Sequence, residues 1–350
     1  MAGRNLHDSL GQMEKKKESY QLQTSPDVTV AAWGTLGTIK PLKNFEPEAD
    51  VDRITEILTN KGNVQTIVDI VTNLNNDQRQ DLARLYKAEL QKDLEEDIKK
   101  VVSGDLEKVI VGLLKAPAAF DAQELKSAMK GLGTDEETLT EILSTRSNDH
   151  LREIQTCYRQ EYKAELEKDI TSDTKEPYTG LLLALAKGKR ERDSGIIDYS
   201  LIEQDSKILN DLGPKNTANS AQWITILTER SHGHLRRVFD HFKKSTKGEI
   251  EEWIKKNFKG DFQKGLLTLV AVIKNTPLYF ADRLYNAMKG LGTDDSTLRR
   301  ILVSRSEVDL LSIRVAYRRK YGKSLYSSIQ SDTKGTHRSA LLLLCRAEDI

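Results

Sequence analysis

The chain has almost no excess charge of either sign: 54 lysines and arginines stand against 53 aspartates and glutamates in 350 residues. Without a net field, long-range electrostatics alone cannot draw it onto nucleic acid or an anionic membrane. No nucleic-acid partner is expected, and any anionic partner needs another bridge. Long hydrophobic runs are also missing. The opening MAGRNLHDSLGQMEKKK has no apolar signal core, and the longest apolar runs, Leu181 to Ala186 and Leu341 to Cys345, are far too short to span a bilayer. The expectation is a soluble, cytoplasmic protein. Cysteine is scarce. Cys157 and Cys345 each lie in an apolar-periodic segment, which suits reduced, half-buried thiols better than a disulfide framework. The sequence also lacks a paired general acid and base, a nucleophile with its base, or a Walker-type lysine, so it does not read as an enzyme.

What the sequence has is repetition. The octapeptide AMKGLGTD occurs at Ala128–Asp135 and again, 159 positions on, at Ala287–Asp294; SDTK recurs at Ser172 and Ser331 with the same offset. Apolar positions keep this frame, pairing Leu139 with Leu298, Ile142 with Ile301, Leu151 with Leu310 and Tyr158 with Tyr317. A more diverged copy lies 72 positions earlier, through Ile67, Ile70, Leu82 and Tyr86, and another 84 later, through Trp223, Ile226, Leu235 and Phe242. Four copies of about 70 residues result. The larger separation between copies two and three coincides with KGKRERDSG, charged and glycine-bearing like a linker, and suggests two pairs of repeats.

Apolar residues recur at three, four and seven, with no sustained alternation, so the fold class is all-α with five helices per repeat. In copy two the reading is a helix from about Asp121 to Met129, a glycine turn, a second helix capped by Thr134 with Glu137 completing a capping box, and further helices near Asn148, Lys163 and Glu176. The boundaries that follow are a variable tail at 1–44, repeats at 45–116 and 117–188, a linker at 189–199, and repeats at 200–275 and 276–350.

A glycine loop entering a helix can serve an anion through amides or a cation through carbonyls. Asp135, Glu136 and Glu137 follow the loop and a helix precedes it, which disfavours a phosphate cradle. Gly131 and Gly133 turn tightly and offer unshielded carbonyl oxygens, the hard neutral ligands that calcium accepts. The missing carboxylate is available from SDTK: Asp173 and Asp332 lie 40 residues after Gly133 and Gly292. Such a low ligand charge predicts weak, open Ca2+ sites, suited to bridging.

These features resemble the annexins, calcium-dependent phospholipid-binding proteins, over about residues 45 to 346. The segments ERSHGHLRRVFD, TPLYFADRLYNAMKG and VSRSEVDLLSIRVAYRRKYGKSL are similar to annexins of the calpactin type. The resemblance implies a curved disc of four repeats whose convex face meets anionic, phosphatidylserine-like membranes, the protein being peripheral there when calcium is raised. It carries the family's M-x-G-x-G loop and distant acid onto Met129, Gly131, Gly133 and Asp173, and onto Met288, Gly290, Gly292 and Asp332. Copies one and three depart from it: Lys61 and Val101 stand at the second-glycine and acid positions of the first, Thr217 and Asn257 at those of the third. Neither is expected to hold a primary site. Minor sites are implied at Lys99, Val102 and Glu107, and at Thr134 with Glu136.

Other residues have plainer readings. His232, His234 and His241 suit surface or helix-end roles, and Arg146, Arg230 and Arg305, each followed by serine, suit bonds to loop carbonyls. In the tail, Leu6, Leu10 and Met13 could form the apolar stripe that a small EF-hand partner binds in calpactin-like annexins; Tyr20 and Ser25 are phosphorylation candidates, and Trp33 could pin the tail to the repeats. An alternative function proposed for annexins is a calcium-dependent ion-permeable assembly, with polar residues lining the axis between the repeat pairs.

Overall fold

The computed structural model describes residues 36–60, 62–131, 133–211 and 218–346. The tail residues singled out above, together with Lys61 and Thr217, lie outside that range. Nineteen helices are assigned among the described residues. Repeat 1 contains α1 (Pro47–Asn60), α2 (Val64–Asn73), α3 (Asn76–Leu90), α4 (Leu94–Ile98) and α5 (Gly104–Leu114). Repeat 2 contains α6 (Pro117–Ala128), α7 (Glu136–Thr145), α8 (Asn148–Tyr162), α9 (Leu166–Asp173) and α10 (Tyr178–Ala186). Repeat 3 contains α11 (Tyr199–Asp211), α12 (Ala218–Glu229), α13 (His232–Thr246), α14 (Ile250–Asn257) and the first half of α15 (Gly260–Ala287).

That long helix is two. At Asn275 the backbone leaves the helical region (φ −162°, ψ 94°), its side chain accepts from Leu278 N at 3.0 Å as an N-cap would, and Pro277 occupies the new first turn, where it needs no hydrogen-bond partner. The second half opens repeat 4, followed by α16 (Asp295–Arg305), α17 (Leu310–Tyr321), α18 (Leu325–Asp332) and α19 (Gly335–Cys345). Five helices per repeat is therefore the observed organisation.

The corresponding apolar positions form the core. Leu139, Ile142, Leu151, Ile154 and Tyr158, their counterparts Leu298, Ile301, Leu310, Ile313 and Tyr317, and the diverged sets around Ile67 and Trp223 are all buried. Each such side chain stabilises by about 1.5–3 kcal/mol relative to exposure, before entropic costs. Cys157 is half-buried and Cys345 buried, and neither forms a disulfide.

The pairing of repeats differs from the expected one. One core joins repeat 1 to repeat 4, and the other joins repeat 2 to repeat 3. The long KGKRERDSG connection therefore lies within a pair. It is bound to both sides: Asn148 Nδ2 donates to Arg190 O at 2.8 Å, Arg190 donates to Arg230 O at 2.7 Å and Leu227 O at 2.9 Å, and Glu191 N donates to Glu229 O at 2.7 Å. Extra length reflects the path around packed helices, whereas the pairing follows from which apolar faces meet.

Buried ion pairs cross between the two pairs. Glu141 on α7, with no side-chain exposure, accepts from Arg300 on α16 at 2.9 and 3.1 Å and from Arg283 on α15 at 3.2 Å. Burial alone would raise the Glu141 carboxyl, but Arg300 and Arg283 hold it below the usual range. Arg299 and Glu124 add a second cross-pair contact at 3.0 Å.

Candidate functional site

The first AMKGLGTD loop begins where α6 ends, with Met129 as its C-cap. Gly131 and Gly133 then adopt φ of 106° and 95°, a region that costs side-chain-bearing residues about 1–2 kcal/mol. A Cβ at either position would meet nothing within 4 Å, so backbone conformation rather than space calls for glycine. The chain closes when Asp135 N donates to Ala128 O at 2.8 Å. Repeat 4 reproduces the turn, with Gly290 and Gly292 at 113° and 91° and Asp294 N donating to Ala287 O at 2.8 Å.

The helix that follows is capped one residue later than the sequence suggested. Asp135, not Thr134, is the N-cap of α7: its carboxylate accepts from Thr138 N at 3.0 Å and Thr138 Oγ1 at 2.6 Å. Asp294 caps α16 in the same way, accepting from Thr297 N at 3.0 Å. An acid suits this place better than a hydroxyl, because it meets both an orphan amide and the positive helix end. Glu137 pairs instead with Arg283 across the interface.

Freed from capping, the loop threonine ties the distant acid to the glycine turn. Thr134 Oγ1 donates to Asp173 O at 3.1 Å; Thr293 Oγ1 lies 3.2 Å from Asp332 O and 2.6 Å from Asp332 Oδ2. The structure thus brings the last residues of α9 and α18 beside the loops that precede them by two helical hairpins. Asp173 is exposed and Asp332 half-buried. These threonine bonds were not foreseen from the sequence, although the threonine is present in both octapeptides. Also missed was Leu291, fully exposed between its glycines; Leu132, its counterpart, is outside the described residues.

The surrounding charges are acidic. Burial raises the Asp295 carboxyl, Asp105, Asp332 and Asp294 add to the rise, and His337 opposes it. Asp294 goes the other way: burial would raise it, but bonds from the Thr297 amide and hydroxyl hold it low. Among the described residues no three His, Cys, Asp or Glu side chains converge as a metal cluster. Each loop instead offers neutral carbonyls and one carboxylate. That oxygen-only set, on a turn open to solvent, fits a hard cation such as calcium.

The remaining candidates are distributed as follows. Lys99 caps the C-terminus of α4 with its ammonium held by Glu95 and Glu96 at 2.7 and 2.9 Å, Val102 is buried, and Glu107 stands in the first turn of α5. Glu136 opens α7, its carbonyl already accepting from Tyr178 Oη at 2.8 Å. In the acid positions of repeats 1 and 3, Val101 packs against the core and Asn257 Nδ2 bonds Trp253 O at 2.8 Å.

The arginines at the inter-helix turns bind carboxylates rather than the loop carbonyls expected, because a charge-assisted pair is stronger than a bond to a neutral oxygen. Arg146 makes two 2.7 Å bonds to buried Asp121, Arg230 bonds Asp205 at 2.9 Å, and Arg305 bonds Asp309 at 2.7 Å. His150 and His234 complete the first two sets, each with Nε2 2.9 Å from the same aspartate. His232 is pushed down to about 3 by burial and by Arg190 and Arg236.

A family model described as annexin matches residues 49–113, 120–185, 204–269 and 279–344. The chain is 45% identical over 321 residues to annexin A9 of Mus musculus and of Homo sapiens, covering 91% of this chain and 92% of each relative. Among solved structures, annexin III superposes with a TM-score of 0.86 at 39% identity, covering 89% of this chain and 98% of that one. A calcium-bound annexin (Sm)1 superposes with a TM-score of 0.79 at 30% identity, covering 88% and 92%.

Proposed function

Because the chain belongs to the annexin family, we propose that it binds anionic phospholipid surfaces through calcium held at its two AMKGLGTD loops, as a binding protein rather than a catalyst. Calcium-dependent phospholipid binding is what membership implies; the assignment to particular residues is the finer reading. Met129, Gly131 and Gly133 with Asp173, and Met288, Gly290 and Gly292 with Asp332, would hold the ions. Bound calcium would supply the positive charge that a chain of net charge +1 lacks. The chain's own part is to keep carbonyls turned outward and a carboxylate beside them.

The observation that carries this reading is the threonine tie, which joins each loop to its acid in the two repeats that keep both. Leu291 supports it by presenting an apolar side chain beside the repeat 4 site, where a lipid surface would lie. The minor sites at Lys99, Val102 and Glu107, and at Thr134 with Glu136, would contribute secondary ligands.

Sedimentation with phosphatidylserine liposomes across a calcium titration tests the assignment. Asp173→Ala with Asp332→Ala should raise the calcium required at least tenfold while helical circular dichroism is unchanged. Sedimentation identical to wild type would remove these aspartates from the mechanism. The ion-permeable alternative draws on the cleft of about 410 Å³ between the repeat pairs, lined by Glu124, Arg299 and Arg300 among others. It requires calcium-dependent conductance that is lost on charge neutralisation there. Among the described residues no helix is long and apolar enough to cross a membrane.

A further inference from the structure

A second cavity, of about 480 Å³, lies apart from the glycine loops and from the cleft between the repeat pairs. It forms where the segment entering repeat 1 passes the ends of α2 and α19, with Thr38, Lys40, Lys43, Asn73 and Arg346 among its walls. Its charge has one sign. Three cations line it, no aspartate or glutamate among the described residues does, and none of the three cations makes an ion pair with a described carboxylate.

The fold holds these cations in place. Gln78 on α3 clamps the segment, donating from Nε2 to Leu42 O at 2.8 Å and accepting from Leu42 N at 2.9 Å, so Lys40 and Lys43 flank a fixed residue. Arg346 follows the last residue of α19, and its guanidinium donates to Asn73 Oδ1 at 3.0 Å and to Thr72 O at 3.4 Å. Both acceptors are neutral, and burial lowers the guanidinium with no carboxylate to offset it. The backbone of Arg346 is strained as well. Its φ of 66° with ψ of −178° is a combination that glycine alone adopts readily, costing other residues about 1–3 kcal/mol. Lys115 and Lys187, which follow α5 and α10 at the matching places, keep φ of −77° and −59°. Only at the end of α19, then, does strain carry an acid-free cation into a basic cavity.

The lining narrows the ligand. It includes no aromatic side chain among the described residues, so a nucleobase has nothing to stack on. A phosphoryl group carries about −1.5 to −2 charges at pH 7, so three cations exceed one such group and suit two. The cavity is also far from the repeat 4 loop: α19 begins just after Asp332 and runs 11 residues, about 16 Å, before reaching Arg346. A membrane held at the loops would not cover it. We propose that this cavity binds a small soluble diphosphate, with the Arg346 guanidinium on one phosphoryl group and Lys40 and Lys43 on the other.

Isothermal titration calorimetry of the full chain with inorganic pyrophosphate, in calcium-free buffer, tests the site separately from the calcium loops. One pyrophosphate should bind per chain, and orthophosphate should bind at least tenfold more weakly. Lys40→Gln with Lys43→Gln should weaken pyrophosphate at least tenfold. Arg346→Gly should do the same while melting no lower than wild type, because glycine relieves the strained φ; a purely structural arginine would instead lower the melting temperature and leave binding intact. Arg192→Gln, at an exposed linker arginine elsewhere, should change nothing. No binding heat, or binding that survives either the lysine pair or Arg346→Gly, would overturn the proposal. Calcium-free sedimentation with vesicles containing phosphatidylinositol bisphosphate, if lost in Arg346→Gly, would overturn the soluble source in favour of a lipid headgroup.

Discussion

At the scale of single residues, His232 shows how position changes chemistry. It stands at the start of α13 with Nε2 buried and without a hydrogen-bond partner, while Arg190 and Arg236 add positive charge nearby. Its pKa is pushed down from the ordinary 6.5 to about 3, so the unfolded chain takes up the proton first. The stability this group contributes is full above about pH 6.5 and is lost as pH falls toward 3, with a slope approaching about 1.4 kcal/mol per pH unit. His232→Gln should therefore lose less of its urea midpoint between pH 7 and pH 4 than wild type does. Equal losses would place the acid sensitivity elsewhere. Sequence could not reveal this, because burial of a histidine among arginines is set by the linker's return to repeat 3. The glycines were more legible. Gly292→Ala meets no steric obstacle but must hold φ near 91°; a loss of about 1–2 kcal/mol is expected, read by thermal unfolding without calcium.

At the scale of elements, periodicity carried most of the fold. The stripes at three, four and seven identified the buried side of the second and third helices of each repeat because burial is averaged over several turns, where one misplaced residue matters little. Caps are decided by one side chain and are correspondingly fragile to read. Thr134 and Asp135 are both good N-cap types, and the choice fell to the aspartate because the helix begins at Glu136. The closeness of each loop to its aspartate was legible as a spacing of 40 residues, but the hydroxyl joining them was not, since its partner depends on which neighbour caps the helix. Two substitutions separate these roles. Asp294→Ala should cost about 1 kcal/mol of stability, seen as a lower urea midpoint. Thr293→Ala should leave that midpoint within about 0.5 kcal/mol yet raise the calcium needed for liposome sedimentation. If Thr293→Ala instead matches Asp294→Ala in stability and spares calcium dependence, the threonine is a helix cap and not a positioning residue.

For the whole molecule, the decisive arrangement is the pairing of repeats 1 with 4 and 2 with 3, each around its own apolar core. The first pair is discontinuous in sequence, and Arg79 to Glu307, at 2.9 Å, is one of the bonds that closes it. Between the pairs the attraction is charged: buried Glu141 receives Arg300 and Arg283, while Glu124 receives Arg299. These ion pairs couple the two apolar cores across the seam. Removing Glu141 leaves Arg300, almost wholly buried, without its carboxylate, and breaking such a pair from one side costs about 3–5 kcal/mol. Glu141→Ala should therefore lower the melting temperature and split the calorimetric transition in two, as each pair of repeats unfolds by itself. Arg300→Met in the same chain removes the stranded cation and should recover part of the lost stability while leaving the transitions apart, because the apolar replacement restores no link to repeat 2. A single unshifted transition in Glu141→Ala would mean that the helix packing between α7 and the second half of α15, not the ion pairs, holds the two halves together.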